Sequence, residues 1–587
     1  MRCFVPAFVL VPFFAAILAG AMELRGDEIQ IDLLMDREPA EKPQQPQWQF
    51  DGSLVDLWKR ALARPESELK RQAAHALIQA HQFGHVGMDA AVPELRDALQ
   101  QDNVHAAARH TVARALIVLD DRMSAPLLFD VSQAAGKDLR QLIEPTLAAW
   151  NFAAIRPVWR QRLTTIKTPR RDLMLAIQGL ARQRDPLSLE GLLKLALEGE
   201  IPGDVRLASA RAAGQVAHQG LEDEAERLLA RKNASSLERL CAISLIDLHR
   251  SPVAVRIQLV LAVDPEPAVA AAALRSLFAA DPQLVLPVAE AAMKNGDANV
   301  RQVGIDTYLQ LPTPERIQFV SQHLSDPHPA LRRTVRDTFF VLSRNTELDR
   351  SIRASSMAIL AGDDWRGQEQ GAILLAALGE KQVAGRLVEL LESTRPEVMV
   401  MSAWALKTLA IPETATKSQD YAVRVSARTL NETHTDRQVA HLFELLGVLK
   451  ATSAIPLLET FVPKETAAGP DTRAAAIWSL GLIQEGQTNE KLSVQLLQRA
   501  MDTITNPPEH DTVRRAAVLS LGRLRAAPQV RGLKQLVNNK ITNTTMDLTV
   551  RWAISEITGE KLPIEPLPSV ERSGWFLEST RKPPPTP

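Results

Sequence analysis

The chain has 587 residues, of which 45% are hydrophobic and 23% charged, so it is long enough to bury a large core. Lys and Arg number 68 against 69 for Asp and Glu, and this balance excludes a general electrostatic attraction to nucleic acid or acidic membranes. Aromatic residues make up only 4%, while alanine and leucine are abundant, which favours helices over sheets.

The first 21 residues are typical of a cleaved signal peptide. An apolar run from Phe4 to Leu18 follows a basic start, and Ala-Gly-Ala at 19–21 supplies a small-residue cleavage pattern. The run is short for a membrane span, although an uncleaved anchor is the alternative. We therefore expect a secreted or periplasmic protein with no stable membrane insertion after cleavage. Cys241 would then be the only cysteine, which excludes an intramolecular disulfide.

Two stretches rich in proline flank the central region. Residues 22–54 are predicted to be a mature N-terminal segment followed by a Pro/Gln-rich linker, "DREPAEKPQQPQWQFDG" at 36–52. Residues 561–587 form a tail with too many prolines for regular structure. Residues 55–560 are predicted to be one continuous helical region.

This central region is built from a repeat. The string "DTVRRAAVLSLGRL" at 511–524 recurs in diverged form at intervals of roughly 31 to 41 residues, as expected for stacked helical hairpins. Clear copies are "VRLASARAAG" from Val205, "VRQVGIDTYL" from Val300, "LRRTVRDTFF" from Leu331, "TRAAAIWSLG" from Thr472 and "VRWAISEITG" from Val550. Each is preceded by a second apolar helix, such as "SAIPLLETFV" at 453–462. Copies around 351–379 and 411–435 are too irregular for their helices to be placed.

An outer helix of the form P-x-L-x-x-L, a turn and then V-R-x-x-A-x-x-A-L-G resembles the HEAT repeat, particularly the short bacterial variety of phycobilisome-lyase-like proteins. The resemblance implies an all-α fold, a right-handed α-solenoid of about fifteen HEAT-like hairpins. It also implies a binding scaffold more readily than an enzyme. Because no catalytic or phosphate-binding motif accompanies the repeats, we expect no catalytic residues and no cofactor. A bilin-lyase-like enzyme, or a cofactor or metal carrier on this fold, is the alternative.

Helical geometry assigns a role to the arginine of each repeat. With the Val of Val-Arg as position one, positions one, five, eight, nine and twelve face the core, and the arginine lies on the flank. An aspartate commonly precedes it, and we expect this carboxylate to cap the helix and to pair with an arginine of its own or an adjacent repeat. A row of arginines for an anionic ligand is the alternative. These aspartates are Asp204, Asp297, Asp326, Asp471, Asp511 and Asp547.

Positions three, seven and ten are predicted to face the concave side of the solenoid. Position seven is mostly polar in the first half, whereas the second half presents Trp404, Trp478 and Leu519, and Trp552 occupies position three of the last copy. Because exposed tryptophan is unusual and enriched at binding hot spots, these four residues are the predicted partner-binding site. Burial by curvature or a neighbouring loop, or stacking against a carbohydrate, are the alternatives.

Two further features have a binding and a non-binding interpretation. The turns at 463–471, 503–511 and 538–547 are long and would stack into a ridge beside the tryptophans, either as a binding edge or as neutral variation in exposed loops. Five histidines cluster in the first repeats, but the glycines among them argue against metal ligation, so no metal site is predicted. These histidines are His75, His81, His85, His105 and His110.

The sequence thus predicts a non-enzymatic, secreted or periplasmic scaffold. Its protein partner would bind the concave face and the C-terminal loop edge through extended surface complementarity with aromatic anchors. We expect neither nucleic acid nor a resident cofactor as a partner.

Overall fold

The computed structural model describes residues 29–40, 43, 48–134, 136–165, 167–426, 432–464, 468–537, 544–562, 570–571 and 574–578. The predicted signal peptide at 1–21 lies outside these residues, as does most of the proline-rich tail. The chain divides into two compact units. The N-terminal unit comprises residues 45–311 with 567–587, and the C-terminal unit comprises residues 312–566 with 1–44.

In its described residues the N-terminal unit contains eight helical hairpins and two short strands. Strands β1 (Trp48–Gln49) and β2 (Val570–Glu571) pair in parallel, with Trp48 opposite Val570. The hairpins are α1 (Ser53–Leu62) with α2 (Ser67–Gln82), α3 (Val92–Gln100) with α4 (Ala106–Val118), α5 (Ala125–Ala134) with α6 (Lys137–Ala149), α7 (Arg156–Thr164) with α8 (Arg170–Arg182), α9 (Leu189–Leu197) with α10 (Gly203–Val216), α11 (Glu222–Leu229) with α12 (Ser236–Leu245), α13 (Pro252–Leu261) with α14 (Pro267–Ala280) and α15 (Leu286–Met293) with α16 (Ala298–Gln310).

The C-terminal unit contains seven hairpins in the part of it that is described. They are α17 (Pro314–Val320) with α18 (Pro329–Leu342), α19 (Thr346–Ala361) with α20 (Trp365–Ala377), α21 (Ala384–Leu390) with α22 (Pro396–Leu409), α23 (Ala415–Ser426) with α24 (Thr433–Val448), α25 (Ile455–Glu459) with α26 (Pro470–Ile483), α27 (Glu490–Met501) with α28 (Asp511–Arg523) and α29 (Val530–Leu536) with α30 (Thr545–Thr558). The prediction of an all-α solenoid of about fifteen hairpins is confirmed, and helices α19, α20, α23 and α24 now fill the two irregular regions.

Local sequence explains where the helices begin and end. First helices commonly carry proline in their first turn, as at Pro252 and Pro314, where a missing N–H costs nothing. Second helices often follow a capping side chain: Asp297 accepts from the backbone N–H groups of Asn299 and Val300. Short 3-10 turns precede many first helices: Met88–Ala91, Arg122–Ser124, Ala153–Ile155, Pro186–Ser188, Pro282–Val285, Lys381–Val383, Pro412–Thr414, Thr452–Ala454 and Ala527–Gln529; a further turn, Ser321–Ser325, follows α17.

Within each unit, consecutive second helices pack side by side, whereas most consecutive first helices scarcely touch; α17 and α19 are an exception and pack against each other. Small residues permit this approach. A Cβ added at Gly481 of α26 would lie 2.8 Å from Cα of Ser520, and one at Gly447 of α24 would lie 2.9 Å from Cα of Ser479. Position ten, predicted to face a partner, is therefore a contact between neighbouring helices in these copies. We call the second helices of a unit its inner row.

The repeated arginines act mainly as structural links. Arg206 and Arg514 donate to the backbone carbonyls of Ala196 and Ala500, at the ends of the preceding first helices. Arg514 also pairs with Asp511 of its own copy at 2.8 Å. The predicted pairing is thus present, but backbone carbonyls at the hairpin turn are a second partner that the sequence pattern did not reveal. Arg473 instead forms two hydrogen bonds, of 2.8 and 2.7 Å, with Glu509 beyond the next first helix.

The end of the predicted linker and part of the tail belong to the folded N-terminal unit. Trp58 of α1 donates a 2.7 Å hydrogen bond from Nε1 to the carbonyl of Phe576. Trp575 is buried, with its ring 5.6 Å from that of Phe50 and 5.9 Å from that of Trp58. Aromatic residues of these two proline-rich stretches therefore pack on the first hairpin, although the proline content predicted no regular structure for the tail.

Candidate protein-binding surface

The inner rows of the two units differ at position seven of the repeat. In several copies of the N-terminal unit this position holds exposed polar side chains, including Arg114, Arg211 and Arg275, whereas Ser244 is buried and Asp306 is partly buried. In the C-terminal unit the predicted site residues Trp404 and Trp478 are only 2% exposed and Leu519 is fully buried. The structure therefore contradicts the expectation that these three side chains face solvent. Their role in binding a partner stays a prediction.

Residues 29–40 explain the burial of much of this surface. This N-terminal segment, which contains a 3-10 turn at Leu34–Arg37, lies across the inner row of the C-terminal unit. It contacts four successive second helices, α22, α24, α26 and α28. The stretch that the sequence assigned to a mature segment and the start of a linker is therefore a packed element here.

The first half of the N-terminal segment is held by a buried ion pair. Nζ of Lys407 on α22 lies 3.0 Å from Oε2 of Glu444 on α24, and both side chains are almost completely buried. Lys407 also donates to the carbonyl of Asp32 at 2.6 Å, and Glu444 accepts from the backbone N–H of Met35 at 2.9 Å. One ion pair thus binds the main chain of the segment at two points. Trp404 lies one helical turn from Lys407 on the same helix.

The second half of the segment is held by two arginines of α28. Arg515 donates to the carbonyl of Met35 at 3.2 Å and pairs with the carboxylate of Asp36. Arg523 pairs with Glu38 and lies over the ring of Trp478, 5.0 Å from its centroid. Trp478 donates from Nε1 to Glu38 Oε2 at 3.2 Å. Because Leu519 lies one turn from each arginine, it forms the apolar floor between them.

Apolar side chains anchor the segment between these polar contacts. Leu33 and Met35 are 0% and 1% exposed and belong to the same hydrophobic cluster as Trp404, Trp478 and Leu519. Burying side chains of this size contributes about 1.5–3 kcal/mol each relative to the exposed state. The segment therefore completes the core of the C-terminal unit as well as covering it.

Burial shifts the ionisation of the groups beneath the segment. Desolvation raises the pKa of Glu444 and lowers the pKa of Lys407, while their mutual attraction opposes both shifts. Desolvation also lowers the pKa of His441 well below its usual range, so this imidazole is neutral near pH 7. His441 Nδ1 lies 3.8 Å from Glu444 Oε2. A buried pair of this kind specifies geometry more than it adds stability.

Trp552, the fourth predicted residue, is only partly exposed for a different reason. Its indole packs over Gly522 of α28, where an added Cβ would meet the ring at 2.8 Å.

The predicted loop ridge is partly described: Nζ of Lys464 in the first long turn hydrogen-bonds Asp502 Oδ2 at 2.7 Å, next to the second turn. The third turn lies largely outside the described residues. Two neighbouring turns are thus in contact beside the covered row.

The inner row of the N-terminal unit keeps an open groove. A cavity of about 650 Å³ is lined by α6, α8 and α10. Its walls combine Met174 and Leu207 with Arg182 and Arg211, and Gln178 lies between them. Apolar walls with a few polar groups are typical of a surface that binds another molecule.

The histidines of the first repeats lie in different local environments. His75 is exposed on α2, and the ring of His85 stacks on that of Phe50 at a centroid distance of 4.7 Å. His105 caps α4 by accepting from the backbone N–H of Ala107. Among the described residues no group of three or more His, Cys, Asp or Glu side chains has the geometry to hold a metal ion. Nor does any helix in the described ranges have the length and apolar character to cross a membrane.

The N-terminal segment is the packed element of this surface that the repeat pattern did not reveal. Ile29, Ile31 and Leu33 alternate with polar residues, which is the period of an extended chain with one apolar face, and the chain then turns from Leu34 and buries Met35. This pattern was available in the sequence. The identity of the surface that covers it was not, because the bonded residues are separated by up to 485 positions.

Solved structures show the same fold. No protein-family model matches the sequence, and no curated protein sequence matches it significantly. Kap95p, from a structure in which its binding induces the switch loops of RanGDP to adopt the GTP-bound conformation, is 11% identical, with a TM-score of 0.50 over 86% of this chain and 72% of that one. An importin-β crystal structure is 12% identical, with a TM-score of 0.47 and the same coverage.

The complex of CpcE and CpcF of the Nostoc phycocyanin lyase is 18% identical, with a TM-score of 0.28 over 42% of this chain and 95% of that one. These proteins are HEAT-repeat solenoids, and the match to Kap95p together with the stacked hairpins shows the same solenoid fold in this chain.

Proposed function

We propose that this protein is an exported, non-enzymatic scaffold that binds a protein partner along the inner rows of its HEAT repeats. One observation carries the proposal: the inner row of the C-terminal unit already holds a polypeptide segment from outside the repeats. A surface that binds one extended chain through side chains has the shape and chemistry for another. Export to a secreted or periplasmic location rests on the signal-like residues 1–21.

The two inner rows would have different parts in binding. The open groove on α6, α8 and α10 offers exposed side chains that a partner meets without any rearrangement. In the C-terminal unit, three of the four residues predicted from sequence form the floor on which the N-terminal segment lies. The fourth, Trp552, lies beyond the end of this floor. Trp404, Trp478 and Leu519 would therefore contact a partner only where that segment has moved.

Site-specific photo-crosslinking in the native cell tests this function. A photoreactive amino acid is placed at Arg211 or Arg275, which are exposed on the inner row of the N-terminal unit. Matched controls are Lys194 and Arg227 on first helices, whose side chains are 73% and 68% exposed. We expect one discrete crosslinked protein from the inner positions and none from the controls. Crosslinks from the controls alone, or from no position, would contradict the proposal.

Export is tested separately. Mass spectrometry of the mature protein from the envelope and the culture fluid gives its N-terminus, and we expect cleavage after residue 21. An intact N-terminus on a protein retained in the cell interior would remove the export half of the proposal while leaving its binding half in place.

A further inference from the structure

We infer that the covered part of the inner row, from α22 to α28, is a groove for an acidic, aliphatic peptide segment of the protein partner, and that residues 29–40 are its built-in occupant. The inference rests on the proposed protein-binding function and assigns it a specific site and ligand chemistry. The partner segment would displace the N-terminal segment from the groove.

The groove binds the main chain of its occupant through helix side chains. Lys407 and Arg515 donate to carbonyls of the segment, and Glu444 accepts from one of its N–H groups. Contacts to backbone atoms do not depend on the side chains of the bound segment, so another segment with the same backbone conformation can make them. The helices keep their own backbone hydrogen bonds in either case, because each of these contacts uses a side chain.

Side-chain contacts define which sequences fit. Two apolar side chains, Leu33 and Met35, occupy buried positions two residues apart. The carboxylates of Asp36 and Glu38 follow, one and three residues after the second anchor, and meet Arg515 and Arg523. The ligand is thus a segment that forms a short 3-10 turn, with two aliphatic or methionine residues at i and i+2 and acidic residues at i+3 and i+5. Charge-assisted pairs of this kind add orientation as well as affinity.

The N-terminal segment competes with a partner segment because it is covalently attached to the protein, and not because the groove requires its exact sequence. An attached segment stays near the groove and is not diluted, so a free segment of similar intrinsic affinity binds poorly while the tether is intact. Covering also keeps an apolar surface that includes two tryptophans away from water until a partner arrives. The segment therefore keeps this apolar surface out of water and sets a minimum affinity that a partner segment must exceed to bind.

The test uses the full chain with a protease site inserted between Ala40 and Trp48, cut only after folding and purification. The probe is a fluorescein-labelled peptide of residues 29–40, followed by fluorescence anisotropy. We expect the peptide to bind the cut protein at least tenfold more tightly than the uncut protein. A peptide that keeps the pattern with other residues, Ile and Val at the anchors and Glu and Asp at the acidic positions, should bind comparably.

Matched variants establish that binding occurs in this groove. A peptide carrying Asp36→Lys and Glu38→Lys, and a protein carrying Arg523→Ala, should each lose at least tenfold in affinity. The control protein carries Arg424→Ala on α23, where the side chain is 56% exposed and pairs with Glu392. Binding that is insensitive to the α28 arginine, or as sensitive to the control, would overturn the assignment.

Three other results would also overturn the inference. The peptide could fail to bind the cut protein, or release of the cut segment could abolish hydrogen-exchange protection in α24 and α26, which would make the segment a permanent part of the core. If uncut chains exchange their N-terminal segments and dimerise, and the patterned peptide does not bind, the ligand of the groove is a second copy of this chain. Crosslinks from Arg211 and Arg275 report on the N-terminal unit, so they persist if only this inference fails.

Discussion

The inner rows of the two units are built from the same repeat and have opposite surfaces. At position seven the N-terminal unit carries charged side chains such as Arg211 and Arg275, and its row is open. From α22 to α28 the C-terminal unit carries Trp404, Glu444, Trp478 and Leu519 at the same position, and this part of its row is covered by residues 29–40. The repeat thus fixes the stacking of the helices, while one variable position per copy decides whether the row faces water or another chain segment.

Removing the buried carboxylate should give the largest difference between the rows. Glu444→Ala leaves Lys407 buried without its carboxylate and deprives Met35 of its acceptor, so we expect the C-terminal unit to lose about 3–5 kcal/mol. Arg275→Ala, on the open row, should change the free energy of unfolding by less than about 0.5 kcal/mol. Native-state hydrogen exchange in α24 and in α14 measures each unit separately. A cost below about 1 kcal/mol for Glu444→Ala would contradict the importance given to this pair.

Truncating an anchor of the segment should have the next largest effect. Met35 is 1% exposed, and Met35→Ala should destabilise the C-terminal unit by about 2–5 kcal/mol through lost burial and the cavity left behind. Gln30→Ala, at an exposed position of the same segment, is the control and should be near neutral. Chemical denaturation followed by hydrogen exchange in α26 reports the cost. Equal, small effects at both positions would mean that the segment does not complete the core.

A pH-dependent difference is expected in the N-terminal unit. Burial raises the pKa of Asp306, at position seven of α16, to about 6. The pKa of Asp306 in the folded state lies above its unfolded value of 3.8, so folding favours the protonated carboxyl. The stability contributed by this neutral side chain is fully present below about pH 4 and is lost as the pH rises through about 6. Asp306→Asn should therefore gain up to about 2 kcal/mol relative to wild type at pH 7.5 and little at pH 4. A gain that does not change with pH would exclude this carboxyl as its source.

The smallest effect should come from a single hydrogen bond between row and segment. Trp478→Phe keeps an aromatic ring beneath Arg523 but removes the Nε1–H bond to Glu38, so we expect a loss of about 1 kcal/mol. The same substitution at Trp150, whose exposed Nε1–H bonds Asp120 in the N-terminal unit, should cost less. Hydrogen exchange in the residues around Met35 and around Trp150 makes the comparison. A larger cost at Trp150 would contradict the special status of the covered row.

Most of the fold was predictable because the repeat is local. The Val-Arg strings locate most second helices, and the proline-led strings locate many first helices, so a count of about fifteen hairpins follows from periodicity, but the helices around 351–379 and 411–435 could not be placed. The arginine links were predictable in part, since Arg514 pairs with Asp511 three residues away. Their second partners, carbonyls at the ends of first helices, depend on how each hairpin closes.

The candidate site was only half predictable. Position seven identified Trp404, Trp478 and Leu519 as residues that would face a protein partner; the structure shows them under a segment of the same chain, and partner binding stays a prediction. That the segment belongs to the same chain was outside the reach of a repeat alignment, because it lies about 400 residues away in sequence and outside the repeat. The alternation from Ile29 to Leu33 is its one local indication.

The long reach of the N-terminal segment also sets an order of events during synthesis. Met35 leaves the ribosome 409 residues before Glu444, its hydrogen-bond acceptor, and Glu38 leaves it 485 residues before Arg523. At roughly 5–20 residues per second the segment waits about 20 to 80 seconds for Glu444. During this interval Leu33 and Met35 cannot reach the surface that buries them in the folded C-terminal unit. The contact that completes the C-terminal unit is therefore among the last that the nascent chain can make.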